Sequence, residues 1–290
     1  MRNVWIITKR ELGAYFGTPL AYVFVVIFVA LTGAFAFFID PTPQSTMRNI
    51  WTITKRELGA YFGTPLGYVF IVVFVGLTGA FAFYIGRFLE RGQADLTPFF
   101  QYHPWLYLIL VPAVAMRLWA EERKSGTIEL LMTLPVSTTE AVIGKFLAAW
   151  AFIGVALILT FPMWITVNKL GNPDNGVILT SYLGSFLMAG TFLAIGSCIS
   201  ALTKNQVIAF IIASVVCFLF VMSGYDIVLN VVRAWAPETL IRAIQSMSFL
   251  THFEPITKGV ITMPSLFFYL SLIATFLFAN VVVVDQRKAA

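Results

Sequence analysis

Seven stretches of mostly apolar residues recur along the chain, at 19–39, 65–85, 103–119, 142–166, 178–202, 206–224 and 264–284. Each is close to the length a helix needs to cross a hydrocarbon layer about 30 Å thick. Helical periodicity also marks three polar segments between them. Residues 48–62 set Thr52, Lys55, Arg56 and Gly59 on one face and Trp51, Leu58 and Phe62 on another, which predicts an amphipathic elbow helix in the headgroup layer. Its candidate functional residues are Trp51, Lys55, Arg56 and Glu57, and its partner is the lipid bilayer. In the second segment, the charges Glu121, Glu122, Arg123 and Lys124 carry the preceding span into water, and Gly126 ends that helix. Thr127 is placed to cap a short helix over 128–133 that Pro135 stops. Ile128, Leu131 and Met132, beside Glu129, form an apolar ridge framed by charge, suited either to a partner's groove or to the membrane surface. The third segment, 225–263, holds two stripes, Ile227, Val228, Val231, Val232 and Trp235, then Leu240, Ile241, Ile244 and Met247, which predict a cap over the spans.

Composition agrees with this pattern. The 290 residues are 59% hydrophobic and 11% charged, with a mean hydropathy of +0.86. These values exclude a water-soluble globular protein and intrinsic disorder. No charged block is long enough for a separate catalytic domain, so the fold class is all-α and polytopic.

Residues 1–40 and 47–86 are near copies, identical at 32 of 40 positions and joined by the linker 41–46. Two units do not make a stacking repeat, which needs three or more. The copies divide the chain into 1–46, a duplicated elbow and first span, and 47–290, a body with six spans. An even number of spans puts both ends of that body on one side. Arg48, Lys55, Arg56, Arg117, Arg123, Lys124, Lys145, Lys204, Arg287 and Lys288 fall on that side, while the longer opposite loops hold only Arg87, Arg91, Lys169, Arg233, Arg242 and Lys258. The positive-inside bias therefore predicts that both ends of the body are cytoplasmic. The net charge of +5 is a topology signal, with no nucleic-acid partner implied. If the first copy also spanned, its Arg2, Lys9 and Arg10 would lie outside although their twins lie inside. Three readings stand: an artefact of the gene, a seventh span inserted against its charge preference, or a segment lying on the surface or pairing with another chain.

Candidate chemistry is sparse. No ionisable residue lies near the centre of any of the six spans, which disfavours a proton- or ion-coupled carrier. Gly144-Lys145 lacks the Walker pattern, so ATP hydrolysis is assigned elsewhere and the chain is read as no enzyme. Cys198 and Cys217 sit inside apolar runs. Gly190, Ala194 and Cys198, with Ser185 and Ala189, give small residues at helical spacing, read first as close packing. Pro162, with Thr160 and Thr166, predicts a kink, and Asn280 a bond between helices. His252 and Glu254 lack a ligand cluster, so no metal site is expected, and no catalytic set of Ser, His and Asp falls in one place.

The run Glu121-Glu-Arg-Lys-Ser-Gly-Thr-Ile-Glu-Leu-Leu-Met-Thr-Leu-Pro-Val-Ser137, followed by Gly144-Lys145, resembles the signature of ABC-2 type permeases, the membrane subunits of ATP-binding-cassette exporters. The resemblance covers 47–290. The stretch from Ser248 to Ile261, with His252, Phe253, Glu254 and Gly259, resembles the gliding-motility permease branch, which often accompanies an auxiliary periplasmic-domain protein. The resemblance implies that 126–135 is a coupling helix on a separate ATPase subunit. It also implies that ATP and Mg bind to that partner, that no cofactor is held by this chain, and that a second permease copy or related permease completes the path. The implied location is the bacterial cytoplasmic (inner) membrane. A membrane scaffold that passes ATPase motion to a periplasmic or auxiliary partner, without moving solute, is the competing role.

Overall fold

The computed structural model describes residues 43–128, 136–233 and 237–287, and among them every regular element is helical. The first copy, Glu129, Leu131, Met132, Pro135 and Trp235 thus fall outside the described residues. The elbow is α1, Pro43–Phe62, and the first span is α2, Pro65–Ala80, whose proline sits in the opening turn where no N–H is needed. A π-helical turn, Phe81–Ile85, closes that span. The second span follows a short α3, Thr97–Phe100, and comes in two pieces, α4, His103–Ala115, and α5, Arg117–Ser125. Pro112 sits inside α4, where its missing N–H and its ring weaken the helix just ahead of the break at Met116.

The third span is likewise broken, into α6, Thr138–Ile158, and α7, Phe161–Leu170. The kink expected at Pro162 is present, and the Thr160 hydroxyl donates to the Leu157 carbonyl at 2.6 Å across it. The fourth and fifth spans are α8, Asn175–Leu202, and α9, Gln206–Met222, each started by a side-chain cap, Asp174 and Asn205. Three short helices follow, α10, Asp226–Arg233, α11, Glu238–Ser246, and α12, Phe249–Thr257, before the last span α13, Met263–Gln286. Among the described residues, four helical stretches are long and apolar enough to cross a membrane by themselves: 65–85, 138–170, 175–202 and 263–286. The 17-residue α9 and the split α4–α5 pair complete the six expected segments.

Helix α8 is the axis of the body, packing on α13, α4, α9, α12 and α6. Of its apolar window 83% is buried, against 22% for the first span, so helices of similar composition serve as core and as wall. Its small residues are notches for neighbours. A side chain at Gly184 would meet Ile256 at 2.4 Å, at Gly190 the Trp150 indole at 2.8 Å, and at Gly196 the Ala115 methyl at 2.5 Å. That supports the packing reading of the fourth span, as does the buried amide of Asn280, which donates to Ser197 Oγ at 2.7 Å across helices. Both cysteines are buried.

Three expectations are sharpened by the structure. Trp51, Leu58 and Phe62 share one side of α1, but the elbow docks through a different side. Trp51 is 69% exposed, while Ile53 and Thr54 are buried against α6 and Leu58 and Phe62 pack on the core. Gly144 on α6 is the physical reason, because a Cβ there would lie 2.7 Å from Ile53 Cγ2. Ile128 is half-buried and packs on the core, so it is no freely exposed member of a ridge. In the cap, Ile227 is 74% exposed, while Leu229, outside the expected stripe, is buried.

Candidate functional site

The elbow end of the body gathers charge from three helices. Lys145 on α6 is 3% exposed, and its Nζ lies 2.6 Å from Glu122 Oε1 on α5 and 3.4 Å from Glu57 Oε1 on α1. The ammonium also sits 5.4 Å from the centroid of the Trp119 ring, a favourable cation–π position. Arg56 meets Glu57 at 2.7 Å, and Arg117 meets Glu121 at 3.1 Å. Burial pushes the Glu57 carboxyl up, but Lys145 and Arg56 outweigh it and hold the group below its ordinary value. The same elements border a cleft of about 290 Å³ lined by Glu57, Tyr61, Arg117, Glu121, Glu122 and Lys145, among others.

A second set of bonds fixes the helix that leads into 126–135. Ser200 on α8 accepts the amides of Trp119 and Ala120 at 3.2 and 3.1 Å and donates to the Met116 carbonyl at 2.9 Å. One buried hydroxyl thus repairs the backbone where the second span breaks. Trp119 Nε1 donates to Ser197 at 3.3 Å, and Arg123 donates to the Ala201 carbonyl at 2.6 Å. Gly126 then ends α5 at φ +74°, in the left-handed region glycine enters freely, and Ser125 and Thr127 share a hydroxyl contact of 2.9 Å. At the next helix start, Ser137 and Glu140 form a reciprocal cap, and Asn49 of the elbow donates to Glu140 at 3.3 Å.

Of the residues singled out in the sequence, Glu57, Glu121, Glu122 and Arg123 converge here, joined by Arg56. Gly126, Thr127 and Ile128 continue the same arm. Trp51 and Lys55 lie on the exposed side of the elbow. Ser197 and Ser200 went unremarked in the sequence, where two serines in an apolar helix give no local sign of a distant partner. Lys145 counts in the sequence as a loop-side charge and part of a motif, and a lysine eight residues into an apolar helix is the local sign of its burial.

The cap residues form a different arrangement. His252 is buried, with Nε2 2.9 Å from the Ser246 carbonyl, Nδ1 3.3 Å from Ser265 Oγ, and its ring stacked on Phe268 at 4.1 Å. Burial lowers its pKa against the bond to Ser246. Phe253 is buried beside it, Glu254 is exposed and pairs with Lys258 at 2.6 Å, and Gly259 turns at φ +82° against Val177. Between the two ends, Ser185 lies 2.7 Å from His103 Nδ1 and 2.6 Å from the Tyr107 hydroxyl. This brings a serine and a histidine together where none was expected. All three side chains are fully buried, and Phe99 and Phe100 pack edge-on against the imidazole, so the cluster ties α4 to α8.

A body of apolar helices, several of them long enough to cross a bilayer, is a multi-pass membrane protein. The profile of the family described as ABC-2 family transporter protein matches residues 20–284, and the chain belongs to that family of membrane permeases. A comparison with curated proteins gives no match.

Proposed function

We propose that this chain is the permease subunit of an ATP-binding-cassette exporter and works with a separate ATPase subunit that holds ATP and Mg. The elbow end is its cytoplasmic face in a bacterial inner membrane, and residues 126–135 with the elbow receive the ATPase. A second permease subunit completes the path, and the branch resemblance of the cap adds an auxiliary periplasmic-domain protein as a partner. The observation that carries this reading is the Lys145 network. It joins the elbow, the arm entering 126–135 and the third span through one buried ammonium, so that a push on either peripheral element reaches a span. Networks of packed side chains and ion pairs of this kind can carry coupling between elements.

The test uses the chain co-expressed with an ATP-binding-cassette subunit and reconstituted in vesicles. Ile128→Asp combined with Leu131→Asp is expected to abolish permease-stimulated ATP hydrolysis while membrane insertion persists. Unchanged stimulation would overturn the assignment of 126–135.

A further inference from the structure

The two near-identical segments of the chain differ at eight aligned positions, and at two of them the docked conformation of residues 47–86 leaves no room for what the first copy carries. The chain leaves α1 at Phe62 and re-enters helix at Pro65, folding the start of α2 back on the end of α1. A Cβ at Gly67 would lie 2.1 Å from the Tyr61 carbonyl oxygen and 3.0 Å from its carbon. These are backbone atoms, so the contact is relieved only by moving one helix against the other. Tyr61 is also stacked on Phe152 of α6 at 4.6 Å, and that movement would undo the docking. The first copy has Ala21 at the matching position.

The other constraint sits at the far end of the same span. Gly86 closes the π-helical turn, and a Cβ there would lie 2.8 Å from both the Ala82 carbonyl oxygen and the Pro98 Cβ. Its φ is an ordinary −73°, so space alone demands glycine. The first copy has Asp40, and an aspartate in the place of Gly86 would set a carboxylate beside a backbone carbonyl and against α3. The remaining differences are mild. Gly76, matched by Ala30, has nothing within 4 Å, and Thr52 and Tyr84, matched by Ile6 and Phe38, are exposed. The rest exchange Val and Ile at positions 50, 71 and 73.

We propose that the groove formed by α6 and its neighbours is a selective intramolecular docking site that accepts residues 47–86 and rejects residues 1–40, with Gly67 and Gly86 making the choice. The two basic elbows differ only by Val4 for Ile50 and Ile6 for Thr52, mild exchanges that leave the choice to these two glycines. Overpacking against backbone is resisted strongly enough that the first copy should occupy the groove at least about tenfold less than the second.

The full chain tests this by cross-linking. Asn49 reaches Glu140 across the docked elbow, and Asn3 is its counterpart in the first copy. A chain carrying Asn49→Cys and Glu140→Cys should be joined efficiently by a short bis-maleimide. A chain carrying Asn3→Cys and Glu140→Cys should give at least about tenfold less intramolecular product. Exchanging the determinants, by Ala21→Gly, Asp40→Gly, Gly67→Ala and Gly86→Asp together, should reverse the ratio. Should that chain fail to accumulate, Gly67→Ala and Gly86→Asp placed singly should each lower the 49–140 product relative to the 3–140 product. Equal yields from the two pairs in the native background, or a ratio that none of these substitutions moves, would overturn the proposal.

Discussion

At the elbow end Lys145 is 3% exposed and bridges glutamates that belong to two other helices, whereas at the cap end Lys258 is 68% exposed and meets Glu254 one turn earlier on its own helix. The other ion pairs flanking the spans on the cap side are similar, Arg242 with Glu238 four residues apart and Arg87 with Glu90 three apart. A local pair in water steadies one helical turn and says nothing about where that helix sits. A buried pair between distant segments fixes their relative position, because separating them leaves charge without a partner in a medium that solvates it poorly. The cap is instead held by rings. Phe249 packs on Phe220 at 5.2 Å and Phe192 at 4.9 Å, and the Tyr269 hydroxyl donates to the Phe249 carbonyl at 2.9 Å. Buried charge thus lies at the end where three separate helices are held in a fixed relation.

The contrast breaks most visibly at Lys145. Lys145→Met keeps the stem and removes the ammonium, leaving Glu57 and Glu122 near each other, and is expected to cost about 3 kcal/mol, read as a lower unfolding temperature in detergent. Acid should mimic part of this effect. The folded protein holds Glu57 below the ordinary glutamate value of 4.5, so its contribution is complete above that pH and is lost as pH falls through the lowered value. The variant should show a weaker acid limb.

Ser200→Ala comes next. It strips the partner from the amides of Trp119 and Ala120 inside the body, with an expected loss of about 2 kcal/mol in the same measurement. The smallest effect belongs to the cap. Glu254→Gln breaks the exposed pair with Lys258 and should change stability by less than about 0.5 kcal/mol. A cap variant as damaging as Lys145→Met would erase the distinction between the two ends.

Apolar runs located the spans, and Gly126 and Pro162 located a break and a kink. Those features are local, set by length, φ or a missing N–H. The faces of the helices were not legible. A membrane helix is apolar all round, so sequence does not separate the side that meets α8 from the side that meets lipid. The elbow shows the same limit: its docking through Ile53 and Thr54 depends on the bare backbone of Gly144, some 90 residues away. Ser185, Ser197 and Ser200 acquire their roles only from partners on other helices, His103, Trp119 and Asn280 among them. Lys145 was visible as a charge, but its burial between Glu57 and Glu122 needed three segments to be brought together.

In the proposed arrangement the elbow end receives an ATPase and the cap end does not. The most direct measurement places a photo-cross-linking amino acid at Thr127 in one chain and at Thr257 in another, in native membranes, and identifies the captured protein by mass spectrometry. The account predicts an ATP-binding-cassette subunit captured from position 127 and none from position 257. Capture from 257, or its absence from 127 in a chain that still inserts and folds, would contradict it.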